Sequence, residues 1–270
     1  MHKRTHQYLL EELFYRNQIK TKLRSVFSDT SKVDLLTVPV SSGLPEKFVL
    51  DFLSQIALHK RADLPTMVGL LKGHFDSMQE CADAIYKAVE LGLCWFYTDI
   101  DKFVVKYELS DEVWEELERY QFPLPMVVKP EPLQDNTDIG FLTYSGSVIL
   151  KDNHHNKDVY LSHLDRTNSV PLRINEKVLE HVFKKWQGDR TRKSNESRQE
   201  YQMRLKQFDK FKRNAIGIME LLNKHSDEFF LTHRYDKRGR TYAVGYHVNY
   251  QGQDYNKAVI EFAVKEYINE

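Results

Sequence analysis

Cysteine is scarce in this chain: its 270 residues include two, Cys81 and Cys94. Disulfide frameworks need denser cysteine in a secreted context, so both read as reduced thiols of a cytoplasmic protein. Long apolar runs are missing as well. The longest, Leu91 to Tyr97, is far shorter than the roughly 20 residues of a membrane helix. Met1-His2-Lys3-Arg4-Thr5-His6 leads into no apolar segment, so neither a signal peptide nor a membrane contact is expected. There is no internal repeat and no low-complexity tract. The Walker A loop, the HExxH helix, paired CxxC and the GxSxG elbow are all absent, which leaves NTPase, zinc-protease and hydrolase chemistry without residues. What is present is 41% hydrophobic and 29% charged, enough for one large domain or two modest ones.

Net charge is also absent, at a formal value of zero. The balance hides a basic block. Residues 171–240 hold 18 Lys and Arg against 10 Asp and Glu, while residues 1–170 hold 19 against 25. Such segregation points to a polyanion contact confined to the block, although a solvated basic helix would give the same count.

The spacing of apolar residues predicts a chain that is mainly α with small β hairpins, an α+β fold. A helix is expected from His6 to Phe27 and another through Phe48, Val49, Phe52, Leu53 and Ile56, with Pro65 opening a short third one. Cys81, Ile85 and Val89 share a helical face that Gly92 terminates, and Cys81 is a core thiol on that face. Leu93–Tyr97 and Phe103–Leu109 read as a hairpin, followed by a helix that Ser110 caps. Helix, hairpin and helix imitate a winged DNA-binding module. No basic recognition helix is visible, so an ordinary structural unit is the better reading. Pro123, Pro125, Pro130 and Pro132 force an extended boundary, and residues 139–170 are expected as short strands and loops. Beyond Pro171, Ile174, Val178, Val182, Phe183 and Trp186 lie on one helical face ended by Gly188. Tyr201, Leu205, Phe208, Phe211, Ala215, Met219 and Leu222 then form one stripe on a helix of about seven turns, with Arg204, Lys206, Lys210, Lys212 and Arg213 on its other faces.

One constellation is chemically specific. In Tyr235-Asp236-Lys237-Arg238-Gly239-Arg240-Thr241-Tyr242, an acid, a glycine and an arginine make a tight turn. Gly239 permits close backbone approach, Arg240 offers a planar fork of donors that Asp236 can orient, and Tyr242 adds a ring to stack on or beneath a base. The wider string resembles the T/DxxGR motif of the single-subunit phage and mitochondrial RNA polymerase family: the Arg-Gly-Arg-x-Tyr core, then Asn249-x-x-Gly252, then Asp254. The reach from Asp236 to His247 and Asn249 is like that of the mitochondrial branch. Val259 to Ala263 is similar to the apolar helix start that follows in that family. Arg173-Ile174-Asn175-Glu176-Lys177-Val178-Leu179, with Lys185-Trp186, is similar to the start of its thumb region. The strong resemblance covers about residues 171–263.

The resemblance implies a layout: an N-terminal helical and hairpin domain (1–125), an extended Pro-rich and strand–loop connection (126–170), thumb helices (171–230), and the start of a polymerase palm (231–270). It implies that Asp236, Arg238, Gly239, Arg240 and Tyr242 hold template DNA and the RNA–DNA hybrid, with Gln251 and Lys257 following. It makes the helix bearing Lys206, Lys210, Lys212 and Arg213 the thumb, with Arg190, Arg192 and Lys193 adding phosphate contacts. No base identity need be read there. In the family two palm aspartates bind magnesium, and a lysine and a tyrosine of the fingers position the nucleotide. No Asp or Glu of this sequence stands in that context. The expectation is therefore a nucleotidyltransferase subunit with no catalytic and no metal-binding residue of its own, in the host-cell cytoplasm if viral. The initiator Met and a helix-like C-terminal stretch favour this over a truncated piece. Mg2+ would sit on a larger palm-and-fingers partner, and promoter opening would need a further factor such as a single-stranded-DNA-binding protein. The alternative is a non-enzymatic DNA- or RNA-binding transcription regulator derived from a polymerase fold; a pure scaffold is the third reading. Asp152, His154, His155, Asp158, His163 and Asp165 invite a metal site, but adjacent histidines in a polar loop are more often solvated. His247 is expected to be structural.

Overall fold

The computed structural model describes residues 2–29, 34–185, 191–224, 226–252 and 254–264. About half of the chain is helical, and its strands form small antiparallel sheets. It divides into two compact units, residues 16–117 and residues 1–15 with 118–270, so the Pro-rich stretch lies inside the second unit. Where the apolar spacing predicts one N-terminal helix there are two, α1 (Lys3–Arg16) and α2 (Ile19–Ser28). Gln18, at φ −59° and ψ 131°, is extended and breaks the helical hydrogen-bond ladder between them.

In the 16–117 unit, α2 is followed by α3 (Asp34–Ser41), α4 (Glu46–His59), β1 (Arg61–Ala62), α5 (Leu64–Leu71), α6 (Met78–Glu90), β2 (Trp95–Tyr97), β3 (Lys102–Val104) and most of α7 (Asp111–Tyr120). Phe27, Phe48, Phe52 and Phe103 are fully buried at its centre. The expected hairpin β2–β3 is present, and β1 adds a third strand beside β3 in the order β1-β3-β2. Two residues long, β1 has no alternation to read. Asp63 caps α5 by accepting from the Thr66 N–H at 3.0 Å, and Pro65 sits in its first turn. Gly92, at φ +76°, closes α6: its N–H reaches the Val89 carbonyl, and that of Leu93 reaches Ala88. Cys81 and Cys94 are buried free thiols, and burial pushes the Cys94 thiol up to about 12 against the pull of Lys106.

The second unit holds α1 and α8 (Leu161–Asn168), β4 (Leu172–Ile174), α9 (Glu176–Lys185), α10 (Arg198–Asn223), β5 (His233–Tyr235), β6 (Thr241–Ala243), α11 (Asp254–Val259) and β7 (Ile260–Phe262). The segment 229–235 is its spine. Phe229 pairs with Leu172, Phe230 with Met126, Tyr235 with Ile149, and β5 with β6. Around it Leu10, Leu124, Val127, Leu172, Ala215, Ile218, Leu222, Leu231 and Val259 form one core, and Leu133, Ile139, Val148, Leu164 and Tyr235 another. α1 ties down the connecting loops. The buried Glu11 carboxyl accepts from the backbone N–H groups of Leu142 (2.9 Å) and Thr143 (2.6 Å), and the Gln7 amide oxygen accepts from Val127 N–H at 2.8 Å. These bonds satisfy backbone groups that no strand satisfies.

Three expectations of the second unit change. Ile174 stands on β4 and not on the thumb-like helix, which begins at α9 with Asn175 accepting from Val178 N–H at 3.1 Å. Ile260 to Phe262 is strand β7 paired with β4, where a helix start is expected; the helix, α11, precedes it. Arg173 lies opposite Glu261 across this pair, and their side chains form an ion pair. Val159 and Tyr160, expected in a strand, lead into α8. Trp186 and Gly188 lie outside the described residues. The long helix is present at 26 residues with a capping box, Ser197 accepting from Glu200 N–H while Glu200 accepts from Ser197 N–H. Its stripe is buried only from Asn214 onward.

Candidate nucleic-acid interface

The hairpin β5–β6 carries the sequence motif at its tip. His233 faces Ala243, Arg234 faces Tyr242 and Tyr235 faces Thr241. The loop 236–240 closes through Asp236 N–H to the Arg240 carbonyl at 2.9 Å and Gly239 N–H to the Asp236 carbonyl at 3.0 Å. The Asp236 side chain fills this loop. Its Oδ1 accepts from the backbone N–H groups of Arg238 (2.8 Å) and Arg240 (3.0 Å), and its Oδ2 accepts from Arg240 Nε at 2.7 Å and pairs with Nη2 at 2.6 Å. Burial pushes the Asp236 carboxyl up, but the Arg240 backbone N–H and guanidinium outweigh it and hold it below the usual carboxylate range.

The turn therefore points its acid inward and its bases outward. Only 17% of the Asp236 side chain is exposed, against 63% for Arg238 and 54% for Arg240. The Arg240 guanidinium also lies over the Tyr242 ring, 5.6 Å from its centroid. Gly239 has φ +78° and open space around the place of a Cβ, so the turn needs it for its left-handed backbone and not for a close neighbour in this chain.

Behind the tip, Gln251 and Asn249 clamp β6. The Gln251 amide accepts from Ala243 N–H at 2.8 Å and donates to the Thr241 carbonyl at 3.2 Å. Asn249 donates to the carbonyls of Ala243 and Gly245. A Cβ on Gly252 would lie 2.9 Å from the Asn249 carbonyl oxygen, which explains glycine in the Asn-x-x-Gly spacing. Gln251 is thus engaged with the hairpin, and Lys257 on α11 is exposed, 3.5 Å from Asp254.

The remaining expected residues form a second group. On α10, Lys206 and Arg213 are exposed, Lys212 is half-buried, and Lys210 is ion-paired with Glu118. Lys206, Lys210 and Arg213 follow one another at helical spacing along one face. Arg192 and Lys193 are exposed in the loop before α10, Arg192 donating to the Glu196 carbonyl at 2.8 Å. Arg190 lies outside the described residues. The Glu196 carboxyl, paired with Arg204, is held down at about 2.

Sequence reasoning missed two residues. Arg234, cross-strand neighbour of Tyr242, has a buried Nε without a hydrogen-bond partner and forms no ion pair among the described residues. His233, the first residue of β5, is buried, its Nδ1 2.9 Å from Asn168 Oδ1 and its Nε2 2.6 Å from the Tyr250 hydroxyl. Burial, then the charge of His163, lowers its pKa to about 4. The alternating pattern around Asp236 was the one signal for either. His247 is buried and donates Nε2–H to the Glu118 carbonyl at 2.7 Å, among Phe122, Phe211 and Tyr246.

Among the described residues no group of three His, Cys, Asp or Glu side chains is placed to hold a metal ion. His154 is engaged locally with Ser147 and Asn156, and Asp165 accepts from Leu133 N–H. No described helix is long and apolar enough to cross a membrane. A scan against protein-family models matches none, and a search of curated proteins finds no similar one.

Proposed function

We propose that this chain is a non-catalytic subunit of a DNA-directed RNA polymerase of the single-subunit phage and mitochondrial type. More narrowly, its motif content resembles that of the smaller subunit of the two-subunit RNA polymerase II of phage N-four. The observation that carries the reading is the Asp236–Arg240 turn: a carboxylate spent on holding an arginine fork, with Arg238 and Arg240 exposed beside an aromatic ring. Such a turn suits a phosphodiester backbone whose sequence varies, since guanidinium pairs with phosphate and the ring stacks without reading base identity. Lys206 and Arg213 on α10, with Arg192 and Lys193, would supply further phosphate contacts along the hybrid. A larger palm-and-fingers partner would carry the carboxylates and Mg2+ for nucleotidyl transfer, as two-metal chemistry requires a cluster of acids on one cavity.

The test is reconstitution with such a partner on a primed RNA–DNA scaffold. Arg240→Ala should leave subunit assembly intact and shorten elongation-complex lifetime about tenfold or more, the loss of a charge-assisted contact. Wild-type lifetime in that variant, with a change only in promoter choice, would favour the transcription-regulator reading. RNA synthesis by the isolated chain would overturn the split of functions.

A further inference from the structure

Next to the arginine turn, on the opposite side of the hairpin from Tyr242, lies a cleft of about 760 Å³ between the 152–163 segment and the turn. Three rings line it in a row. Tyr160 and His163 have planes 6° from parallel with centroids 6.4 Å apart, and His163 and Tyr235 have planes 22° apart at 6.2 Å. The outermost ring, Tyr160, is 60% exposed.

That ring is held in place. Its residue has φ +59°, a backbone conformation L-residues rarely adopt. Four bonds sustain it: Tyr160 N–H donates to Asp158 Oδ1 at 2.8 Å, its carbonyl accepts from His163 N–H at 3.1 Å and from the Tyr235 hydroxyl at 3.3 Å, and its hydroxyl accepts from Arg166 at 3.1 Å. Three of these bonds fix the backbone of Tyr160 and the Arg166 bond anchors its hydroxyl, with the guanidinium carbon 5.7 Å from the ring centroid, so the exposed ring at the end of a row of near-parallel rings offers a flat face in a set position. The far wall is the motif itself, with Lys237 exposed and without an ion-pair partner among the described residues. Three acids also line the cleft: Asp236 is matched by Arg240 and Asp158 accepts from the Tyr160 N–H, while Asp152 stands on the 152–163 wall beside His154 and His155, so the motif wall at Lys237 is the one that suits an anion.

We propose that this cleft is a subsite for one unpaired nucleotide, its base lying on Tyr160 and its phosphate at Lys237. The inference rests on the nucleic-acid reading of the turn and extends it: the exposed arginines grip the backbone of a duplex, while the cleft accepts a base that has left it. A paired base, with both faces stacked and its edge engaged, does not enter; a flat base from a single strand does. Stacking tolerates any base, which suits a moving enzyme.

The experiment uses the full 270-residue chain and two short single-stranded probes, one DNA and one RNA, each with a central 2-aminopurine, whose fluorescence falls when it stacks on an aromatic ring. Tyr160→Gly removes the ring while relaxing the left-handed backbone, so the fold is preserved; Tyr160→Phe keeps the ring. Wild type and Tyr160→Phe should quench at least one probe, and Tyr160→Gly should lose the quench and bind that probe about tenfold more weakly. The probe that responds identifies the strand. Wild-type quench and affinity in Tyr160→Gly overturn the proposal. An RNA–DNA hybrid, titrated in parallel against Arg240→Ala, separates the two readings. Hybrid binding that depends on Arg240, with no quench that depends on Tyr160, sinks the cleft alone. Failure to bind hybrid or single strand sinks both.

Discussion

Asp236 and His233 are three residues apart and respond to acid for opposite reasons. Asp236 has its pKa lowered by bonds to its charged form, so its contribution to stability is present above the carboxylate's unfolded pKa, about 3.9, and is lost only in stronger acid. His233 has its pKa lowered by burial, which disfavours the charged form. A histidine depressed from 6.5 to about 4 is neutral when folded while the unfolded chain binds a proton, so stability is full above pH 6.5 and falls as the pH drops toward 4. The full effect is about 3 kcal/mol. Urea unfolding monitored on the second unit should therefore weaken between pH 7 and pH 4.5. His233→Gln, which cannot titrate, should flatten that slope; an unchanged slope would place the acid sensitivity elsewhere. None of this was legible in the sequence, where His233 is a histidine next to an arginine. The arginine turn was legible, because acid, glycine and arginine at fixed spacing admit few conformations. The structure adds that Gly239 serves the turn's own backbone, and that Gln251 faces the hairpin it was expected to accompany.

At the scale of elements, what could be read depended on length. The apolar stripe of α10 repeats for about six turns and is visible in any window, as is the α6 face ended by Gly92. β4 and β7 have three residues each and pair across more than eighty positions of chain, so neither alternation nor proximity announces them. The helical period of Val178 and Val182 was extended backward to Ile174 because one apolar residue fits both periods. The N-terminal half of α10, where Tyr201, Leu205 and Phe208 are half-buried and Met203 is exposed, depends more on its own ends than the buried half does. Its capping box satisfies two backbone donors at that end, and Glu200 there favours the helix dipole. Ser197→Ala should cost about 1 kcal/mol and raise amide exchange over the first two turns, leaving residues 214–222 protected. Uniform exchange along α10 would show that the helix opens only as a whole.

For the whole molecule, zero net charge conceals a separation of sign along the chain, with residues 171–240 at +8. Ion release from phosphates makes binding by such a block steeply salt-dependent. Affinity for an RNA–DNA hybrid should fall about ten- to a hundredfold between 50 and 200 mM salt if three or so phosphates are contacted. A flat salt response would remove the block from the interface. The division into units at residues 15–16 and 117–118, inside α1 and α7, was not legible, because an uninterrupted helical period carries no mark of a change of core. One further property follows from the Gln251 amide. A two-stranded ribbon exposes unpaired N–H and carbonyl groups along its margins, and these invite other chains to add to it. On β6 the outward Ala243 N–H and Thr241 carbonyl are both occupied by that single side chain, and on β5 the Tyr235 groups are occupied by Val148 and Leu150. Both flanks of the ribbon that presents the arginines are thereby partly covered from within the chain, which lowers its tendency to add a strand from a second molecule.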